Sequence, residues 1–185
     1  AGAHMSILTQ EQTKRITDRV LSLSKADECI VNIEGNRIGN IRFARNAVST
    51  AGLADDARIQ VQVAFGKKQG TATINEFDDK SIERAVRRAE DLARLAPDNP
   101  EFIPAIAKTA YKPSDTFVQK TADIDPEYRA QAAAYAIEGC RKRGLVSAGF
   151  FTDRTSFETI ANSNGLFGHQ VATSLDFTLT VRTED

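Results

Sequence analysis

The chain has 185 residues, of which 41% are hydrophobic and 26% are charged, and its formal net charge at pH 7 is -1. This composition is typical of a soluble globular protein with one sizeable core or two small ones. A near-neutral chain has no global attraction to nucleic acid or to an anionic membrane, so either partner would need a local basic surface.

The sequence shows no targeting signal. No apolar run approaches the roughly 20 residues of a membrane-spanning helix, and the start lacks the pattern of a signal peptide. We therefore expect a cytoplasmic protein with no membrane partner. The first five residues, AGAHM, look like the remnant of a removed tag, which leaves His169 as the one native histidine. Cys29 and Cys140 are expected to be buried free thiols, because disulfides are rare in the cytosol.

The first predicted helix follows Thr9. The Thr9 hydroxyl can cap the helix while Gln12 reaches back in a capping box. Ile16, Val20 and Leu23 then follow at helical spacing.

The second predicted helix runs from about Ser81 to Ala96, after the candidate caps Asp78 and Asp79, and Pro97 ends it. Its charges recur at i,i+4, which indicates a solvated face of self-paired side chains. The residues predicted to be buried are Ile82, Ala85, Val86, Ala89, Leu92 and Ala93.

The third predicted helix has Asp125 as its N-cap, Pro126 at its first position and Gly144 after its end. Arg141 to Arg143 fall in its last turn, where cations are favoured. The face predicted to be buried carries Tyr128, Ala132, Tyr135, Ala136 and Cys140.

Strands are predicted where apolar residues recur at every second position instead of at helical spacing. Residues 58–65 alternate apolar and polar side chains, and residues 29–34, 38–45 and 71–77 have the same pattern. The links EGNR and GKKQG are too short for crossover helices, so they predict turns of an antiparallel meander.

The predicted fold class is α+β, an antiparallel sheet with helices packed on one face. The C-terminal part repeats the order of the first part, which suggests a duplicated helix-plus-meander unit with halves 6–96 and 125–185. Residues 97–124 contain four prolines and no clear period, and they read as a connector along the surface.

The residues alone reveal no active site. The sequence has no HExxH, no CxxC and no GxSxG, and the glycines of EGNRIGN do not fit GxGxxG. His169 lies in the Gly-flanked stretch GLFGHQ and is predicted to be a solvated or backbone-bonded loop residue. Lys67 with Lys68, and Arg141 to Arg143, lack interleaved aromatic residues, so nucleic-acid binding is not favoured.

The stretch NIRFARNAVSTAG is the remaining candidate, because polar residues interrupt a strand-like pattern. Arg42 and Arg45 could bind carboxylates or chain termini, and Asn46 could bond a passing backbone. The alternative is an edge strand whose charges deter aggregation.

Three segments, taken in order, resemble the N-terminal domain of the TldD/PmbA family, whose members are also described as modulators of DNA gyrase. They are GNIRFARNAVSTAG, the stretch from RIQVQVAFGKKQGTAT to DDKSIERAVRRAEDLARLAP, and IANSNGLFGHQVATSLDFTLTVRTED. The likeness extends over residues 6–185.

The resemblance implies part of a zinc-dependent protease that acts on peptides or unfolded polypeptides. In that family a TldD-type subunit carries an HExxxH helix and a cysteine ligand in its C-terminal domain, and it pairs with a same-family subunit as a homo- or heterodimer. This sequence contains no such helix, so the resemblance implies an isolated N-terminal domain with no catalytic or metal residue and with zinc expected in the C-terminal domain of the parent.

The resemblance also gives Arg42, Arg45 and Asn46 a tentative role in substrate binding, through a strand at 41–46 that pairs with an extended peptide. A PmbA-type non-catalytic partner is the alternative parent. A nucleic-acid-linked regulator is a third interpretation.

Overall fold

The computed structural model describes residues 7–112 and 114–183. In this part the elements follow the order α1 (Gln10–Leu23), β1 (Glu28–Ala44), β2 (Ala47–Phe65), β3 (Lys68–Ile74), α2 (Asp79–Leu95), α3 (Gln119–Ala122), α4 (Pro126–Arg141), β4 (Val146–Asn162) and β5 (Phe167–Arg182). The strands form a sheet in the order β3-β2-β1-β4-β5. The predicted α+β class with an antiparallel sheet is confirmed.

The chain divides into two compact units. Within the described residues, the first combines 7–35 with 56–112, 114–115 and 157–170, and the second combines 36–55, 116–156 and 171–183. Each unit therefore takes segments from both predicted halves. The duplication and the boundaries at 6–96 and 125–185 stay predictions.

The core of the first unit lies where α1 and α2 cover the sheet. Its fully buried side chains include Val20, Val31, Ile33, Ile59, Val61, Val63, Val86 and Phe157. The buried Glu90 accepts hydrogen bonds from the Lys25 amide (2.6 Å) and from Arg87 (2.6 Å), and Arg87 also donates to the Leu23 carbonyl (2.8 Å). This group ties the end of α1 to α2.

The core of the second unit is formed by apolar side chains of β1, α4 and β4, namely Ile41, Phe43, Ala133, Ile137 and Phe151. A buried ion pair lies within this unit, with Arg129 Nη1 at 2.7 Å from Asp153 Oδ1. Gly39 makes room for it, because a Cβ at Gly39 would collide with the Arg129 guanidinium.

The helix starts follow the predicted capping chemistry. Thr9 and Gln12 form the capping box of α1. Asp78 caps α2 by accepting from the Ser81 amide, and Asp125 caps α4 by accepting from the Tyr128 amide. The left-handed φ of +65° at Gly144 fits the predicted stop of α4.

The predicted buried face of α2 is confirmed except for Leu92, which is 43% exposed. On α4, Cys140 is buried and Ala132 and Ala136 are partly buried, as predicted, but Tyr128 and Tyr135 are exposed and the buried positions include Arg129, Ala133 and Ile137. Arg129 lies on the buried face of α4 because it pairs with the nearly buried Asp153.

The predicted turn at EGNR is also wrong, since β1 runs unbroken through it. Gly35 is buried, and a Cβ there would overlap the Phe157 ring and lie 2.9 Å from the Asp56 carbonyl. The glycine therefore allows close packing within the sheet. At GKKQG the hairpin is confirmed: Phe65 pairs with Lys68 across a two-residue turn that begins at Gly66, where φ is +58°.

Candidate functional site

The three candidate residues lie at the β1–β2 end of the second unit. Arg42 is on β1, whereas Arg45 (φ +50°) and Asn46 (φ +59°) form the two-residue turn between Ala44 and Ala47. Left-handed φ at both positions is the type I′ geometry that suits hairpins. Asparagine adopts it readily, but arginine rarely does.

The side chain of Asn46 is engaged within the fold. Its Nδ2 donates to the Leu145 carbonyl (2.8 Å), and its Oδ1 accepts from the amide and the hydroxyl of Ser147 (2.7 Å each). The Asn46 carbonyl accepts from Arg141 Nη2 at 2.6 Å. Asn46 therefore fixes the turn against the start of β4, and a ligand would compete with these bonds.

Arg42 and Arg45 are exposed. The Arg42 guanidinium lies over the Phe150 ring, 4.9 Å from its centroid, a contact that orients the cation and leaves its charge in place. The structure thus brings both arginines to one end of the unit, with side chains accessible from solvent.

The predicted pairing of residues 41–46 with an extended peptide is wrong. β1 lies between β2 and β4, so both of its backbone edges are already used. Within residues 7–112 and 114–183, β2 offers a free edge beside the turn: β3 pairs with β2 only from Ile59 onwards, and every residue from Ala47 to Ala54 is exposed.

The hairpin geometry indicates which backbone groups of this edge point outward. In a two-residue hairpin the residues flanking the turn bond to each other, and the next residue along each strand directs its N–H and C=O away from its partner. Val48 and Thr50 therefore direct their N–H and C=O groups to the open side. No charged side chain or proline protects residues 47–54.

His169 differs from the sequence-based interpretation. It lies on β5, in the first unit, with Nδ1 at 2.8 Å from the Thr159 hydroxyl and 3.2 Å from the Thr13 hydroxyl. Burial lowers the pKa of this imidazole. The loop prediction is wrong, and His169 is a half-buried, hydrogen-bonded strand residue stacked on Phe157.

The described residues include no cluster of three or more His, Cys, Asp or Glu side chains that could hold a metal ion. Cys29 and Cys140 are buried free thiols, as predicted. Burial raises the pKa of Cys29 to about 11, which keeps the thiol protonated at neutral pH. These residues do not fit a zinc site.

Part of the chain matches a protein-family model. Residues 30–93 match the model described as PmbA/TldA metallopeptidase domain 1. Comparison with curated proteins gives no significant match.

Three solved structures share the fold. TldE from Thermococcus kodakarensis has a TM-score of 0.78 at 14% identity, covering 93% of this chain and 43% of its own. A protein from Thermotoga maritima described as a modulator of a DNA gyrase has a TM-score of 0.76 at 16% identity, and the match covers 93% of this chain and 44% of that protein. Another protein described as a modulator of DNA gyrase, from Bacteroides thetaiotaomicron, has a TM-score of 0.78 at 16% identity, and the match covers 97% of this chain and 43% of that protein.

The match over residues 30–93 and the shared fold agree in pointing to the same kind of domain. The resemblance to an N-terminal domain of the TldD/PmbA family is thereby confirmed. The chain spans less than half the length of each of the three proteins.

Proposed function

We propose that this domain is the N-terminal, non-catalytic part of a TldD/PmbA-type zinc metalloprotease that acts on peptides or unfolded polypeptides, and that it helps to hold the substrate. The family match supports the protease class. The observation that carries the holding role is the open β2 edge at Ala47–Ala54, beside the exposed Arg42 and Arg45.

An extended peptide has the chemistry that this edge requires. Its backbone can accept from the outward N–H groups of Val48 and Thr50 and donate to their carbonyls, whatever its side chains are. Arg42 and Arg45 can add contacts to carboxylates of the peptide. The zinc belongs to the C-terminal domain of the longer protein, and no residue of this domain is assigned to it.

A PmbA-type partner subunit is the second candidate for the parent. An HExxxH motif beyond residue 185, and about one zinc per chain by elemental analysis of the longer protein, would identify the TldD type. Absence of both the motif and the zinc would identify the non-catalytic partner. The isolated domain serves as the blank for the zinc measurement. In either case we propose a cytoplasmic dimer with a same-family subunit.

The names of the other two structures motivate a third candidate, a nucleic-acid-linked regulator. It predicts DNA binding that weakens steeply with salt. The pI of about 6.2 argues against it.

The holding role can be tested with a fluorescent, uncharged, unstructured peptide and fluorescence anisotropy. Thr50→Pro removes an outward N–H and should weaken binding about fivefold, because a backbone hydrogen bond contributes ~1 kcal/mol. Thr50→Val keeps the N–H and the side-chain size, so it serves as the matched control. Equal affinity of the two variants, with circular dichroism showing both folded, would refute pairing at this edge.

A further inference from the structure

Five exposed cations lie on two segments of the second unit that a hydrogen bond joins. The basic cluster consists of Arg42, Arg45, Arg141, Lys142 and Arg143. Arg42 and Arg45 come from β1 and its turn, and the other three come from the end of α4. The sequence separates the two groups by almost 100 residues, and the hydrogen bond from Arg141 to the Asn46 carbonyl joins them.

The contacts of the basic cluster leave its charge uncompensated. Arg141 donates to the Asn46 carbonyl (2.6 Å) and Arg143 donates to the Gly139 carbonyl (2.8 Å). A neutral carbonyl satisfies an N–H donor without cancelling the positive charge. Among residues 7–112 and 114–183, none of the five cations forms an ion pair, although Glu138 is exposed on the preceding turn of α4.

A purely structural role explains only part of the basic cluster. Cations in the last turn of α4 compensate the helix dipole. Arg42 and Arg45 are outside the helix, however, and Arg45 occupies a left-handed position where glycine or asparagine would be less strained. Arginine at this position therefore carries a backbone cost.

Parts of the basic cluster are also held in place. The Asn46 side chain donates one hydrogen bond to the Leu145 carbonyl and accepts two from Ser147, which fixes the turn that carries Arg45, and the Phe150 ring supports Arg42. Fixed cations lose less conformational freedom when they bind an anion than flexible ones do.

We propose that the basic cluster binds an acidic segment of an extended polypeptide. This rests on the proposed function, which makes the partner a polypeptide, and it adds the chemical class of the segment. The free β2 edge starts at Ala47, directly after the turn, so one strand can pair with that edge while its carboxylates reach the arginines. A polypeptide is favoured over nucleic acid because the chain as a whole is slightly acidic.

Fluorescence anisotropy measures the affinity of the domain for two labelled peptides of equal length. One peptide alternates Glu with Ser, and the other replaces each Glu with Gln. We expect the Glu peptide to bind more tightly at low salt and to lose this advantage as NaCl rises, because salt screens exposed charges.

The test variant is Arg42→Gln with Arg45→Gln, which removes two charges and keeps side-chain length. It should weaken binding of the Glu peptide about fivefold, with each exposed ion pair contributing modestly, and leave the Gln peptide unaffected. Lys80→Gln with Arg88→Gln removes two exposed charges from α2 in the first unit and should change neither affinity.

Each outcome has a defined meaning. Equal binding of the Glu and Gln peptides would overturn the acidic preference and leave the holding role intact. Binding of the Glu peptide alone would support the basic cluster and refute pairing at the β2 edge. Failure of both peptides would overturn both proposals. Stronger competition by a single-stranded oligonucleotide than by unlabelled Glu peptide would overturn the choice of a polypeptide.

Discussion

Replacing Asp153 with asparagine should destabilise the domain substantially. The Asp153 carboxylate is 2.7 Å from Arg129 Nη1, and the side chains of Asp153 and Arg129 are only 11% and 5% exposed. Asparagine keeps the shape of the aspartate and removes its charge, so the guanidinium stays buried without its counter-ion. Nη1 also donates to the Ile124 carbonyl, at a long 3.4 Å.

The expected loss in free energy of unfolding is ~3 kcal/mol, the lower end of the range for breaking a buried pair. The lower end applies because the asparagine oxygen can still accept one hydrogen bond. The free energy of unfolding of a typical domain is ~5–15 kcal/mol. The variant should therefore fold, but its urea midpoint should be clearly lower. With a urea slope of ~1–3 kcal/mol/M, the shift is about 1 M or more.

The measurement is urea unfolding followed by far-UV circular dichroism, since the chain has no tryptophan. Arg129→Met combined with Asp153→Leu is the control, and it should recover most of the loss because it removes both charges. A loss below ~1 kcal/mol in the asparagine variant would refute the argument, since it would mean that solvent reaches Arg129.

Three other experiments, two of them on substituted proteins, test separate features of the first unit. Gly70→Ala should destabilise it by ~1–3 kcal/mol, because the new methyl group would meet the backbone of α2 at Ala93; an unchanged urea midpoint would contradict that packing. Cys29 should not react with a thiol reagent at pH 7 in the folded protein, because burial raises its pKa to about 11, and should react after unfolding. Asp78→Ala should lower the melting temperature at pH 7, because hydrogen bonds from the Ser81 side chain and backbone lower the pKa of Asp78. Since that pKa is depressed, the contribution is present above the ordinary value of about 4 and is lost as the pH falls through the folded pKa, so the two proteins should converge in acid.

Local signals in the sequence predicted the helix starts and the β2–β3 hairpin correctly. Thr9, Asp78 and Asp125 each satisfy an amide only a few residues away, so the stabilising contact can be seen in a short window. The turn at Gly66 is equally local.

The sequence-based predictions are wrong where a residue far away in the sequence determines the local structure. Nothing near Arg129 in the sequence reveals Asp153, which lies on another element and makes the arginine a core residue. Gly35 reads as a turn residue until the Phe157 ring is placed against it.

The candidate site was predicted only in part for the same reason. Arg42 and Arg45 are recognisable as unusual in their stretch, but the sequence does not show that β1 has neighbours on both sides. It also does not show Arg141 beside the turn, because that contact depends on where α4 ends relative to β1 and β4.

The burial of Cys29 and Cys140 has a practical consequence for experiments on this domain. These are the only two cysteines of the chain, and both are buried. A cysteine introduced at an exposed position such as Thr50 would therefore be the one readily modified thiol in the folded protein. A spin label or fluorophore attached there could report on bound peptide without prior removal of the natural cysteines.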